Sequence, residues 1–175
     1  MRRGQARLLM LLALFAAPLL AAWLAYAYVP PVRTGNYGEL LTPTGLVLPP
    51  LAGPAGQVMP WAALRGKWLM LVVAPEGCQG ACTQTLYLAR QARLAQGREQ
   101  ARIERVLIGG RAGMVWPDQQ GAYVVVLAAL PPALARGGLF LVDPQGNLML
   151  RFPDDPDAGG VIRDLRHLLS ASGAG

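Results

Sequence analysis

The chain has 175 residues, 53% of them hydrophobic and 15% charged, with fifteen Arg, one Lys and a net charge of +6. Arg2, Arg3 and Arg7 supply three of those six charges, so residues 30–175 carry only +3, and no basic stretch alternates with aromatic residues as a nucleic-acid platform would. Nucleic acid is excluded as a partner, and the roughly 145 residues beyond the apolar N-terminal run suffice for one domain with its own core.

"MRRGQAR" opens the chain and "LLMLLALFAAPLLAAWLAYAYV", residues 8–29, follows as 22 residues without a charge. About 20 apolar residues cross a bilayer, so this run reads as a single transmembrane helix. Three Arg precede it and only Arg33 follows closely, which leaves residues 1–7 in the cytoplasm and puts the rest across the membrane. Trp23, Tyr26 and Tyr28 sit near the outer end, where aromatic rings favour the interface, and Pro18 near the middle is a site for a kink. A cleaved signal peptide is the alternative, with Ala25-Tyr26-Ala27 as the small-x-small site, although signal cores of about 7–15 residues are shorter than this run. Either reading puts the cysteines outside the cytoplasm, where disulfides form and persist.

Residues 30–45 read as a linker, punctuated by Pro and Gly, and residues 46–170 as the domain, with 171–175 as a flexible tail. "GLVLPP" and "GQVMPW" bracket "LAGPA" as a small edge hairpin. "WLMLVVA" (68–74) is apolar throughout, as expected of a strand covered on both faces. After the loop "PEGCQG", residues 83–97 read as a helix with Leu88, Ala92 and Ala95 on one stripe and Tyr87 and Leu94 beside it. "RVLIG" (105–109) and "AYVVVLAAL" (122–130) are further strands, and "GLFLVDPQGNLMLRF" is a hairpin turning at residues 143–147. Residues 160–170 close the chain as a helix, with Val161, Ile162, Leu165, Leu168 and Leu169 inward. The order implies an α/β fold, a mixed sheet flanked by helices, and a cysteine pair between a buried strand and a helix is the thioredoxin-like arrangement.

Cys78 and Cys82 are the only cysteines. Two residues four apart within a regular helix hold their Cβ atoms about 5–6 Å apart, too far for a relaxed disulfide. With Cys78 on the loop and Cys82 in the first turn they can approach, and Gly77 and Gly80 free the backbone to allow it. A thiol near a helix N-terminus is acidified, and thiolates are also soft ligands that select copper(I), so a redox pair, half of a metal site and a structural disulfide all stay open.

"LRGKWLMLVV", the C-x-x-x-C loop and the helix after it resemble the Sco family, membrane-anchored proteins of cytochrome c oxidase assembly. "NYGELL", "LYLARQARLAQG" and "VDPQGNLMLRFP" are similar to bacterial members. The resemblance implies a thioredoxin fold in the periplasm, tethered to the inner membrane. It also implies copper delivery or thiol reduction for an oxidase subunit or another assembly factor, with Cys78 and Cys82 as copper ligands and redox pair. The family's third ligand, a His shortly before the strand "LFLVDPQG", is missing: Ala135-Arg136-Gly137-Gly138 stand there. His167 is the one His in the chain, and its neighbours Arg163 and Asp164 suggest that it faces solvent. The third ligand is therefore open, with Met114, Met149 and His167 as the residues to examine. Two readings from other classes compete: a general periplasmic thiol–disulfide oxidoreductase, and a non-catalytic binding module with a structural disulfide.

Overall fold

A computed structural model of the chain describes residues 3–28 and 35–172. Helix α1 spans Arg3–Tyr28, with Pro18 inside it. Among the described residues no helix is long and apolar enough to cross a membrane. Arg2, Val29, residues 30–34 with Arg33, residues 173–175 and the side chains of Tyr26 and Tyr28 lie outside the described set. The membrane anchor therefore stands as a proposal, taken up with function.

A separate compact unit, Asn36–Gly175, contains one mixed sheet. Its strands are β1 (Glu39–Gly45), β2 (Leu51–Ala52), β3 (Val58–Met59), β4 (Trp68–Ala74), β5 (Ile103–Gly109), β6 (Ala122–Val126), β7 (Gly138–Val142) and β8 (Asn147–Arg151). Helix α2 (Ala81–Leu94) joins β4 to β5, and α3 (Ala158–Ala171) follows β8. The strand order is β1-β8-β7-β4-β5-β6-β2-β3. β4, β5 and β6 run parallel, whereas β7 pairs antiparallel with both β4 and β8.

β4 explains why its sequence is apolar without alternation. Trp68, Met70, Val72 and Ala74 enter the core shared with Leu86, Ala89, Val161 and Leu165 of α2 and α3. Leu69, Leu71 and Val73 enter a second core with Leu48, Trp61, Leu64 and Leu134. Helices cover the first face, while irregular chain and a 3-10 turn, Trp61–Leu64, cover the second. Trp61 fixes that cover by donating its indole N–H to the Leu46 carbonyl at 2.7 Å.

Several expectations are corrected. Residues 39–45, read as linker, form β1, because their backbone pairs with β8 although no side-chain period marks them. The edge hairpin is real but uses Leu51–Ala52 rather than "GLVLPP" as its first strand. α2 begins at Ala81, earlier than expected, and buries Thr85, Leu86, Ala89 and Ala92, leaving Tyr87, Leu94 and Ala95 exposed. β6 ends at Val126, before the chain reaches Pro131 and the turn Pro132–Leu134. Asp164 is buried, not a solvent neighbour of His167: it accepts the backbone N–H groups of Tyr37 and Gly38 at 2.9 and 2.8 Å. It thereby ties the start of the unit to its last helix.

Candidate functional site

Cys78 and Cys82 are joined by a disulfide, with Cα atoms 5.0 Å apart, inside the range such bonds occupy. Gly77 and Gly80 flank Cys78 with φ of +142° and +54°, conformations that L side chains rarely adopt. They turn the chain sharply enough to set Cys78 back under the head of α2. The two sulfurs are unequally placed. Cys78 is 5% exposed and packs in the helix-side core near Met114 and Trp116, whereas Cys82, the second residue of α2, is half-buried. Gly80, the residue before α2, caps it with no side chain, so the helix start is without the oxygen acceptor that Ser, Thr or Asp would bring.

Three loops meet at the end of β4, and Pro75 is their common point. A Cβ on Gly110, in the segment after β5, would run into the Pro75 carbonyl. A Cβ on Gly137, just before β7, would lie 2.9 Å from Pro75 Cδ and 3.1 Å from the Val73 carbonyl, and Gly137 also has φ of +70°. Only glycine fits either place. Together they grip Pro75 and seat the residue before Gly137, Arg136, beside the cysteines.

A cavity of about 210 Å³ opens at Cys82. Ala81, Cys82 and Thr85 line it from α2, Arg136 and Gly138 from the approach to β7, and Asp154 from beyond β8. Thr85 donates its hydroxyl to the Ala81 carbonyl, and Asp154 pairs with Arg151. Arg136 is exposed and has no hydrogen-bond or ion-pair partner among the described residues. A larger groove, about 660 Å³, begins next to Cys82 at Thr83 and runs past Tyr87 and Leu88 to Pro156.

The remaining candidates lie elsewhere. Met114 and Met149 are partly buried against the helix-side core, and His167 is exposed on α3. Trp116 is buried over the same core. Of the arginines after the cysteine loop, Arg93, Arg102 and Arg105 are held by partners within the domain. Arg93 donates to the Ile103 carbonyl and pairs with Glu104; Arg102 holds Glu99, the Leu169 carbonyl and Ser172. Arg105 is buried between Asp118 and the Gln120 carbonyl; burial pushes its guanidinium below the usual range, partly offset by Asp118. In the acidic turn, Asp157 caps α3 by accepting the Gly160 N–H at 2.7 Å.

The sequence of residues 68–172 matches the family described as transmembrane-like, thioredoxin-like, C-terminal domain. The chain belongs to this family. No curated protein sequence matches it. Among solved structures, a SCO1/SenC family lipoprotein from Bacillus anthracis is 14% identical with a TM-score of 0.53, over 74% of this chain and 99% of that one. ScoI from Bradyrhizobium japonicum with copper bound is 14% identical with a TM-score of 0.50, over 74% and 98%. A putative protein disulfide isomerase from Bacteroides thetaiotaomicron is 13% identical with a TM-score of 0.52, over 80% and 92%. Identities this low establish the thioredoxin-like fold and leave the chemistry to the residues.

Those residues fit a copper site poorly. Among the described residues no group of three or more His, Cys, Asp or Glu is arranged to hold a metal. Two charged side chains line the cavity beside Cys82: Arg136, whose guanidinium has no lone pair to give and repels a cation, and Asp154, a hard oxygen donor already paired with Arg151 and poorly matched to soft copper(I). Sequence reasoning noted Ala135-Arg136-Gly137-Gly138 as a loss of His and missed what Arg136 brings. The tandem glycines before a strand were the signal that this loop approaches another backbone closely.

Proposed function

We propose that this chain is a Sco-like, membrane-anchored thiol–disulfide exchange protein, with Cys78 and Cys82 cycling between dithiol and disulfide. The observation that carries the reading is the disulfide itself, at the uncapped head of α2, with one sulfur beside a cavity that holds an unpaired cation. A helix N-terminus and a nearby guanidinium both favour a thiolate, the reactive form in exchange. The charge-free run 8–29 supports an inner-membrane anchor, with residues 1–7 in the cytoplasm, residues 30–35 leading away from the membrane and the thioredoxin-like domain in the periplasm.

Through the Sco resemblance, the partner is a subunit or assembly factor of a cytochrome oxidase, whose disulfide this chain reduces. Copper carriage, which the resemblance also implies, is the reading these side chains favour less, because Arg136 puts a cation at the cavity and no soft donor beyond the cysteine lines it. Insulin reduction by the unit Asn36–Gly175 with dithiothreitol tests the exchange role. A rate above that of dithiothreitol alone, lost in the Cys78→Ser, Cys82→Ser double variant, is expected. A rate equal to the background would overturn it. A copper(I) competition titration on the reduced protein checks the alternative: one tightly held ion per chain would restore copper as cargo.

A further inference from the structure

We propose that Cys82, the second cysteine of the motif, is the sulfur that meets the substrate, and that Arg136 makes its cavity select disulfides carrying a carboxylate beside the reacting sulfur. The inference rests on the exchange function proposed above and assigns the roles within it.

Access separates the two sulfurs. Cys78 is packed among Ala74, Trp116 and other residues of the helix-side core and is 5% exposed. An incoming disulfide must approach a sulfur along the line of the bond being broken, so it needs open space. Cys82 has that space in the 210 Å³ cavity, and Cys78 does not line it. Charge then decides what enters. Two charged side chains line the cavity, Arg136 and Asp154, and Asp154 is already neutralised by Arg151. Glu76, on the cysteine loop, is exposed and does not line the cavity. The net field at Cys82 is therefore that of one free guanidinium, which attracts carboxylates and steers anionic partners.

The steps balance as follows. The Cys82 thiolate attacks one sulfur of R–S–S–R′, forming Cys82–S–S–R and releasing R′–S⁻, which takes a proton from water. Cys78, lying beneath, then loses its proton and attacks Cys82 Sγ, re-forming the Cys78–Cys82 bond and releasing R–S⁻. Two electrons pass from the dithiol to the substrate disulfide. Cys78 is the resolving sulfur, and its burial keeps its thiol from meeting any disulfide but the one formed at Cys82.

The test uses the reduced full chain in detergent. Limiting N-ethylmaleimide, followed by mass spectrometry, should label Cys82 at least about tenfold ahead of Cys78. The Cys78→Ser variant should form a stable mixed disulfide with the dianionic 5,5′-dithiobis(2-nitrobenzoate), and Cys82→Ser should react at least about tenfold more slowly. Arg136→Gln should lower the ratio of rates, anionic reagent over cationic cystamine, by about fivefold, the size of one close charge–charge contact at a wet surface. Glutathione disulfide and a peptide disulfide with Asp beside each Cys, each compared with its amidated form, separate small acidic thiols from acidic protein segments. Faster reaction of either acidic form supports the selectivity. Earlier labelling of Cys78 would overturn the assignment and leave the exchange function standing. An unchanged rate ratio in Arg136→Gln would remove the selectivity. Two thiols inert until the chain is denatured would end the exchange function as well.

Discussion

Gly137→Ala is the sharpest test of how the site is built. Two costs add at this position. At φ of +70° a Cβ meets its own backbone, about 1 kcal/mol after the gain from stiffening the unfolded chain. The same Cβ would stand 2.9 Å from Pro75 Cδ and 3.1 Å from the Val73 carbonyl, and crowding of a packed interior costs about 1–3 kcal/mol. The expected loss is about 2–4 kcal/mol. Gly56→Ala is the internal control: its φ is +82° and nothing lies within 4 Å of its Cβ position, so it carries the backbone cost alone, about 1 kcal/mol. Thermal unfolding of the oxidised unit Asn36–Gly175, followed by Trp fluorescence, reads both. A difference near 2 kcal/mol should appear as a Tm about 4–8 °C lower for Gly137→Ala than for Gly56→Ala. Because Gly137 seats Arg136, the rate of disulfide reduction by a small anionic thiol should also change in Gly137→Ala and not in Gly56→Ala. Equal stability of the two variants would refute the claim that the approach to β7 is locked against Pro75.

Reducing the disulfide should leave the domain folded, since the bond closes a loop of only five residues and constrains the unfolded chain by about 2 kcal/mol; loss of the near-ultraviolet dichroism on reduction would instead mark the bond as structural. Asp164→Ala strips the acceptor from the Tyr37 and Gly38 N–H groups and should cost about 3 kcal/mol in urea unfolding, with Asp164→Asn losing less; a loss below about 1 kcal/mol would show that water replaces the carboxylate. Asp118→Ala leaves the buried Arg105 with only a carbonyl partner, an expected loss of about 3 kcal/mol that the Arg105→Met, Asp118→Leu pair should largely recover; a double variant no better than the single one would refute the ion pair as the cause.

Those parts of the fold whose residues carry a strong local pattern were open to reading. β4 was legible because a strand covered on both faces is apolar throughout, and the β7–β8 turn because Asp-Pro-Gln-Gly has few other uses. The cysteine loop was placed correctly between β4 and α2 for the same reason. β1 escaped because it is an edge strand, exposed along nearly its whole length, so its side chains show no alternation. The buried stripe of α2 was shifted because alanines weigh little in a hydrophobic pattern, although Ala89 and Ala92 are fully buried. Asp164 and Arg105 were hidden more deeply. A buried charge is indistinguishable in sequence from a solvated one until its partners are known, and those of Asp164 lie 126 and 127 residues away.

The grip of Gly110 and Gly137 on Pro75 has a consequence for how oxidation state is communicated. Pro75 is fixed from both sides whatever the sulfurs are doing, so the slack released by breaking the disulfide ends there and cannot pass into β4. Only the short span from Glu76 to the first turn of α2 is free to rearrange. A partner that distinguishes the two redox forms is therefore expected to read them by touching that span.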